Sequence, residues 1–423
     1  MRVLICGINY APDLIGVPKY NTELAESLVL RGHEVRVVTA PPYYPDWTVP
    51  EAYRRMWYAG ETLNGVRLTR APIYVPGRPS GGKRLLHHAS FAVTSIAPVV
   101  WHALRFAPDV VFAVAPSLLS APLAAAAARL CGATSWLHVQ DLEVDAAFEL
   151  GLLRNAGARR AMLAAERTIL RRFDRVSTIS PPMMRRLREK GVAAERLREI
   201  RNWVDTAAID RRDRMTAIRA RLGLGERDIV VLYSGAMSRK QGLDLVIEAA
   251  ARTASAQPRV HYVLCGNGPH RAELEALAAG RPDVHFLDLQ PAARLPELLA
   301  TADIHVMPQR AEAADLVLPS KLSGMFASAR PIVVMAAPGT GVAQETEGAG
   351  LLVPPGEADG LADAILRLAA DPALRRQLGT EARLRAERLW DRLAIIRKIE
   401  REFVASGRRI PIAGDAPVPE KNL

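Results

Sequence analysis

The sequence is poor in cysteine and lacks the common phosphate-loop signatures. Its 423 residues include three cysteines, Cys6, Cys131 and Cys265, far apart and in apolar surroundings. That pattern excludes a disulfide framework and a cysteine metal cluster, and it points to a reducing compartment. GxxxxGK[ST] does not occur, which excludes a Walker site. Nor does GxGxxG follow the first apolar run: after Gly7 come Ile8-Asn9-Tyr10-Ala11-Pro12, and the next glycine is Gly16. This argues against an NAD or FAD site of the usual kind. The opening MRVLICGINYAP has too short an apolar run for a signal peptide and no small-residue cleavage pattern. Long hydrophobic runs are also scarce. Residues 110–128 are uncharged over 19 positions, but Pro116 and Pro122 interrupt them and alanine dominates their second half. The expectation is a buried strand over 110–115, a turn at Pro116-Ser117 and a packed helix to about Leu130, not a membrane span.

What is present describes a globular protein of two domains. Apolar residues make up 49% and charged residues 24% of the chain, ordinary values for a folded protein with full cores. Charge is uneven. Residues 1–200 hold 26 Lys+Arg against 17 Asp+Glu, a net of +9 out of +11 for the whole chain. A basic first half suits an acidic partner such as a phosphate-bearing lipid or membrane surface. A nucleic-acid partner is not expected, because no interleaved aromatics or recognised motif accompany the basic residues.

Apolar runs alternate with helical patterns throughout. Strands are expected at 2–8, 34–40, 65–73, 109–115, 134–140 and 175–180, then at 229–234, 260–265, 284–289, 303–308, 331–336 and 350–353. Alternation of this kind predicts an α/β fold of parallel sheets covered on both faces. Two series predict two doubly wound, Rossmann-like domains, with NWVDTAAIDRRDR (202–214) as the linker. The tail 408–423 is proline-rich and polar, so it is expected to be disordered. Ligands of doubly wound folds bind beyond the carboxyl ends of the strands. Two such domains facing each other make the cleft between them the expected site.

The most informative stretch is 228–253, DIVVLYSGAMSRKQGLDLVIEAAART. A buried-type strand ends at Ser234-Gly235, a loop carries Arg239 and Lys240, and an amphipathic helix follows Gly242. A glycine turn, two cations and a helix start suit a phosphate group. The alternative is an ordinary strand–helix turn with solvated basic residues. A second candidate is the group His138, Gln140 and Asp141 at the end of an expected strand. The acids Asp141, Glu143 and Asp145 there admit three readings: a divalent cation site, a helix start enriched in acids, or groups serving a reaction centre. His261 and His305 sit within strand patterns and read as structural.

The ordered set of motifs resembles the retaining glycosyltransferases of the two-domain GT-B type, glycosyltransferase family four, in its bacterial colanic-acid and exopolysaccharide branch. The resemblance rests on NYAPDLIGVPKY (9–20), GHEVRVVT (32–39), HVQDLEVDAAFELG (138–151), NWVD (202–205), SGAMSRKQGL (234–243), CGNGP (265–269), ADIHVMPQ (302–309), LPSKL (318–322), ARPIVV (329–334) and GLLVPPGE (350–357). It implies an acceptor-side domain over 1–203, rejoined by a C-terminal helix at 391–405, and a nucleotide-sugar domain over 208–388. It also implies roles. Lys240 with Arg239 would bind the donor pyrophosphate. Gly16, Gly235, Gly266, Asn267 and Gly268 would let backbone approach the donor, and Leu289 would border its base. Ser320, Lys321 and Leu322 would start a helix aimed at the phosphates, and Asp315 would stand near the sugar or ribose hydroxyls. His138 and Asp141 would serve the reaction, with Gln140 beside the acceptor. No metal or other cofactor is expected, since no Asp-X-Asp motif is present. The partners implied are a GDP- or UDP-sugar and a polyprenyl-diphosphate-linked saccharide.

Some positions depart from the family pattern. Ala236 stands where an arginine is common. Pro18 lies in the glycine loop and has no N–H to donate. The two glutamates spaced by seven residues are not evident, and Gly324 stands near the second. A non-catalytic glycosyltransferase-like subunit and a UDP-sugar 2-epimerase of the same fold are therefore alternatives. The stretch 83–106 adds Lys83, Arg84, His87, His88 and Arg105 to Leu85, Leu86, Phe91 and Trp101. It suits either an interfacial helix on an anionic membrane surface or a helix packed on its own sheet. The first would place the protein in the cytoplasm, peripheral at the inner face of the plasma membrane.

Overall fold

A computed structural model describes residues 1–13, 16–54, 57–78, 80–142, 144, 156–209, 213–310 and 319–407. The chain divides into two compact units, one of residues 1–177, 187–198 and the stretch from 396, the other of residues 178–186 and 199–395. No described helix is long and apolar enough to cross a membrane.

The first unit is built on eight strands: β1 (Arg2–Gly7), β2 (Glu34–Thr39), β3 (Ala59–Leu63), β4 (Val66–Arg70), β5 (Val110–Ala115), β6 (Thr134–Val139), β7 (Arg175–Thr178) and β8 (Leu197–Glu199). Their order is β3-β4-β2-β1-β5-β6-β7-β8. β1 pairs in parallel with β2 and with β5, and β5 with β6. Burial on both faces explains why β5 reads as the unbroken apolar run VVFAVA. The tempting 110–128 stretch is this strand followed by the helix Ala121–Cys131.

β3 runs antiparallel to its neighbour β4. It was not expected from the sequence, because its alternation is weak and only Ala59 in it is buried. The usable signal was Asn64-Gly65. Both residues have positive φ, 48° and 81°, the two-residue hairpin geometry that Asn-Gly favours.

The helix Arg392–Ser406 packs aromatic against aromatic on this sheet. Phe403 meets Phe112 of β5 and Trp136 of β6, with ring centroids 5.4 and 5.2 Å apart. Its Glu400 takes hydrogen bonds from Arg31 Nε and pairs with His33, while Glu402 accepts from Arg198 Nε at 3.0 Å.

The second unit carries six parallel strands: β9 (Ile229–Ser234), β10 (Val260–Cys265), β11 (Val284–Leu287), β12 (Ile304–Met307), β13 (Ile332–Met335) and β14 (Gly350–Val353). Their order is β11-β10-β9-β12-β13-β14. Ile229, Val231 and Tyr233 face one core cluster and Val230 and Leu232 another, so the central strand is buried on both sides. Beneath the amino ends of β9 and β12 lies the buried Arg219. It donates to Asp303, to the Thr301 carbonyl at 3.0 Å and to the Asp228 carbonyl at 3.2 Å.

In each sheet the strand order reverses at one place, between β1 and β5 and between β9 and β12. The carboxyl ends beside such a reversal are where doubly wound sheets take ligands.

Candidate functional site

In the second unit, the turns after β9 and β10 are pressed together until only glycine fits. A Cβ on Gly266 would stand 1.9 Å from the Gly235 carbonyl oxygen, and one on Gly268 2.3 Å from the Met237 oxygen. Backbone bonds close the contact. Gly235 donates to the Cys265 carbonyl at 3.0 Å, Met237 to that of Asn267 at 3.0 Å, and His270 to that of Met237 at 3.1 Å. Arg271 braces the second turn through the Gly266 carbonyl at 3.1 Å and Asn267 Oδ1 at 2.6 Å. The Ala236, Asn267 and Gly268 N–H groups donate to no described residue, and all three residues are exposed. Unspent donors on a rigid turn are what an anionic ligand needs.

A lysine reaches this turn from elsewhere in the unit. Lys321 begins the helix Lys321–Ala327, and its stem passes Gly235, where a Cβ would lie 3.7 Å from Lys321 Cδ. Its amine donates to Gln241 Oε1 at 3.2 Å and lies 4.3 Å from the centre of the Tyr233 ring. Tyr233 Oη donates to the Ala236 carbonyl at 2.7 Å. Burial lowers the Lys321 amine from 10.5 to about 8, since desolvation disfavours its charge. Gln241 was not singled out by the sequence reading. A glutamine before a glycine carries no signal until the fold brings Lys321 to it.

The other expected donor-side residues are differently placed. Arg239 is exposed and donates to Glu273. Lys240 is exposed and makes no hydrogen bond or ion pair among the described residues. Leu289 is exposed just beyond β11. The Ser320 carbonyl accepts from the Ser323 hydroxyl at 3.0 Å. The Leu322 side chain is wholly buried with Met325 and Phe326, so it anchors the helix. Asp315 lies outside the described residues.

In the first unit, the loop after β1 leads to Gly16, whose φ of 78° suits glycine and opens the helix Val17–Leu30 with Pro18 in its first turn. The buried Arg70 holds this loop, with Nη2 on the Ala11 carbonyl at 2.6 Å and Nη1 on the Ala40 carbonyl at 3.0 Å. Asp13 ties it to the loop after β2 by accepting the Tyr43 and Tyr44 N–H groups, each at 3.2 Å.

His138, near the end of β6, is buried. Its ring stacks on Phe112 with centroids 5.7 Å apart, and Nδ1 lies 2.9 Å from Ser177 Oγ. Trp136 Nε1 donates to that same oxygen at 2.8 Å. Assigned in this order, the serine proton goes to His138 Nδ1 and the ring proton sits on Nε2. Burial lowers His138 to about 3, so the ring is neutral near pH 7. Gln140 is buried and donates its N–H to the Ala115 carbonyl at 3.3 Å. Asp141 is exposed, yet desolvation raises its carboxyl against the lowering effect of the Leu142 N–H. Glu143 and Asp145 lie outside the described residues. At the end of β5, the buried Ser117 has φ 96°. That is a strained conformation of the kind that collects at functional sites, and it falls in the turn expected at Pro116-Ser117.

The stretch 83–106 forms two helices, Gly81–Thr94 and Ile96–Arg105. Lys83, Arg84, Leu85, Leu86, Trp101 and Arg105 are exposed, with the Arg105 guanidinium 5.0 Å from the Trp101 ring centre. His87 and Phe91 do not join them. They lie one turn apart on the inward face and are buried, which corrects their reading as interfacial groups.

Two Rossmann-like sheets, each with its glycine turn at the strand ends, are the architecture of the GT-B class of glycosyltransferases. Comparison with known proteins agrees. Residues 16–203 match the glycosyl transferase 4-like domain and residues 214–385 the group 1 glycosyl transferases. The chain is 40% identical over 408 residues to the putative colanic acid biosynthesis glycosyl transferase WcaI of Escherichia coli K12, covering 94% of this chain and 98% of that one. Among solved structures, a sucrose-phosphate synthase from Thermosynechococcus elongatus aligns with a TM-score of 0.72 at 22% identity, over 96% of this chain and 98% of that one. Anabaena HepE in complex with UDP and glucose aligns at 0.67 and 16% identity, over 96% and 100%. The chain belongs to glycosyltransferase family four, and it is a glycosyltransferase. That membership sets aside the epimerase alternative.

Proposed function

We propose that the protein transfers a sugar from a GDP- or UDP-sugar to a polyprenyl-diphosphate-linked saccharide in the assembly of a colanic-acid-type exopolysaccharide. The observation that carries the donor half is the pair of turns after β9 and β10: unspent N–H groups at Ala236 in the first and at Asn267 and Gly268 in the second, and the Lys321 amine beside Gln241. A nucleoside diphosphate is the leaving group of such a reaction and gains negative charge as the glycosidic bond breaks. Fixed donors and a partly desolvated cation stabilise that charge most where water is excluded. On this reading the protein needs no metal, because these groups occupy the role a divalent ion would fill.

The first unit supports the acceptor half. Asp141 is the exposed carboxylate after β6, and neutral His138 offers an Nε2–H for a sugar hydroxyl. The exposed Trp101, Leu85 and Leu86 with Lys83, Arg84 and Arg105 suit an anionic membrane surface where a lipid-linked acceptor resides. On this reading the protein works peripherally at the inner face of the plasma membrane.

The test is release of GDP or UDP from a panel of nucleotide sugars on addition of a lipid extract rich in polyprenyl-linked saccharides. Release that depends on both the donor and the extract supports the proposal. Tight nucleotide binding with no release would favour a non-catalytic subunit.

A further inference from the structure

A cavity of about 430 Å³ lies in the first unit, lined by none of the residues assigned to the donor or to the reaction. Its position follows from the chain path. Pro41 comes two residues after β2 and Pro72, followed by Ile73, two residues after β4, so its near wall starts where parallel strands end. Its far wall is the segment carrying Trp47, Thr48, Tyr53 and Arg54. This is the carboxyl edge of the sheet, beside β2 and β4 and to one side of the β1–β5 reversal.

The walls are built rather than left over. Trp47 packs against Tyr43 and against buried His87, with centroids 5.6 and 5.2 Å apart, and the Arg84 guanidinium lies 5.4 Å from its ring centre. The Trp47 backbone has φ 51°, a region that a bulky residue enters only when its surroundings compel it. Thr48 donates its N–H to the Tyr43 carbonyl at 3.2 Å, and Arg54 Nε donates to the Val49 carbonyl at 2.9 Å. Arg70 sets the Tyr53 ring, with its guanidinium carbon 5.1 Å from the ring centre.

The lining names the ligand class. Ring and proline surfaces offer flat apolar contact, while at an exposed rim the remaining Arg54 N–H groups can donate and the Thr48 hydroxyl, which donates to the Asp46 carbonyl at 3.3 Å, can still accept. A pyranose has an apolar C–H face and a girdle of hydroxyls, and it meets both. A hydrocarbon tail would cover the Arg54 N–H groups left over from the Val49 bond without giving them partners, which is costly. The size falls at the lower end of the range for small-molecule sites, about 300–1,000 Å³.

We infer that this cavity seats a pyranose unit of the acceptor saccharide, apart from the sugar being transferred. The inference rests on the glycosyltransferase reading above. Two measurements test it. In transfer assays with the lipid extract, Tyr53→Ala and Arg54→Gln are expected to raise the apparent KM for acceptor at least about tenfold, with donor KM within about twofold of wild type. Arg54 is exposed, so its variant keeps the test valid if Tyr53→Ala or Trp47→Ala melts. Independently, saturation-transfer NMR with millimolar methyl glycosides of glucose, galactose and mannose is expected to show ring-proton contact in the wild-type protein. That contact should be lost in Arg54→Gln and unaffected by added GDP or UDP.

Unchanged acceptor KM in both folded variants overturns the inference. So does a cavity that takes geranyl phosphate in competition assays and none of the glycosides. If the protein binds no nucleotide and transfers no sugar, the glycosyltransferase reading fails, and the NMR result still decides what the cavity holds.

Discussion

The Lys321 amine lies 3.2 Å from Gln241 Oε1 and 4.3 Å from the Tyr233 ring centre. Residues 80 positions apart thus put a cation at the glycine turn of the second unit, while Arg239 and Lys240, next to that turn in sequence, are exposed. The cation expected to have the greater leverage on a bound diphosphate is therefore Lys321. Lys321→Met should weaken nucleoside diphosphate binding by about tenfold or more, the cost of one charge-assisted hydrogen bond at about 1.5–3 kcal/mol. Lys240→Ala should cost clearly less, because water and salt screen an exposed amine. Titration calorimetry on both variants checks the order. Equal losses would return Lys240 to equal standing.

The same amine predicts a pH dependence. With its free-protein value lowered to about 8, Lys321 is charged at pH 7 and largely neutral at pH 9. Nucleoside diphosphate affinity should fall as pH rises through about 8, by up to about tenfold per pH unit. Lys321→Arg should flatten the profile, since guanidinium stays charged there. Stability moves the other way. Between about 8 and 10.5 the unfolded chain binds more protons than the folded one, so this group's contribution to stability rises with pH across that window. A flat wild-type binding curve from pH 7 to 9 would remove Lys321 from the diphosphate contacts.

Gly266→Ala should be far more damaging than its size implies. Its Cβ would overlap the Gly235 carbonyl oxygen at 1.9 Å, and backbone cannot rotate away as a side chain can. About 1–3 kcal/mol of destabilisation is expected, together with loss of nucleotide binding as the two turns part. Thermal melts and calorimetry measure both effects. A variant that melts and binds like wild type would show that the turns are not held at this distance.

His138 and Asp141 should separate turnover from binding. His138→Asn and Asp141→Asn are expected to lower kcat at least about tenfold while nucleotide affinity stays near wild type, because the proposed donor contacts lie in the other unit. Ser177→Ala removes the group facing Nδ1 and should reproduce part of the His138 effect. Retained turnover in folded His138→Asn would show that the ring only packs on Phe112. Parallel loss of binding and melting temperature would show a scaffold role.

Acid should destabilise the protein through its buried histidines. His138 and His305 are each lowered to about 3 by burial. The folded state therefore refuses protons that the unfolded chain takes up below about 6.5. Stability should fall as pH drops from 6.5 toward 3, by up to about 1.4 kcal/mol per pH unit for each ring. Urea denaturation at pH 7, 6 and 5 measures the slope, and His305→Asn should reduce it. An unchanged slope in that variant would assign the acid sensitivity to other groups.

Much of the fold was legible because parallel strands buried on both faces leave unbroken apolar runs. DIVVLYS and VVFAVA announce β9 and β5 without reference to the rest of the chain, and the order of runs and helices predicts two doubly wound sheets. The family motifs, read in order, were enough to indicate a glycosyltransferase. The strand β3 was not legible: a half-exposed edge strand owes its place to pairing with β4, and its alternation is correspondingly weak.

The site was legible only where chemistry is local. Glycines at 235, 266 and 268 stand out in the sequence, but their necessity comes from the approach of two turns whose strands are neighbours in the sheet. Lys321 and Gln241, Arg70 and Ala11, and Trp136, His138 and Ser177 are partners set by strand order and by helix ends that packing aims. Periodicity records which face of an element is buried. It does not record which distant side chain arrives there, because that depends on how the sheet is wound, and only the tertiary structure decides it.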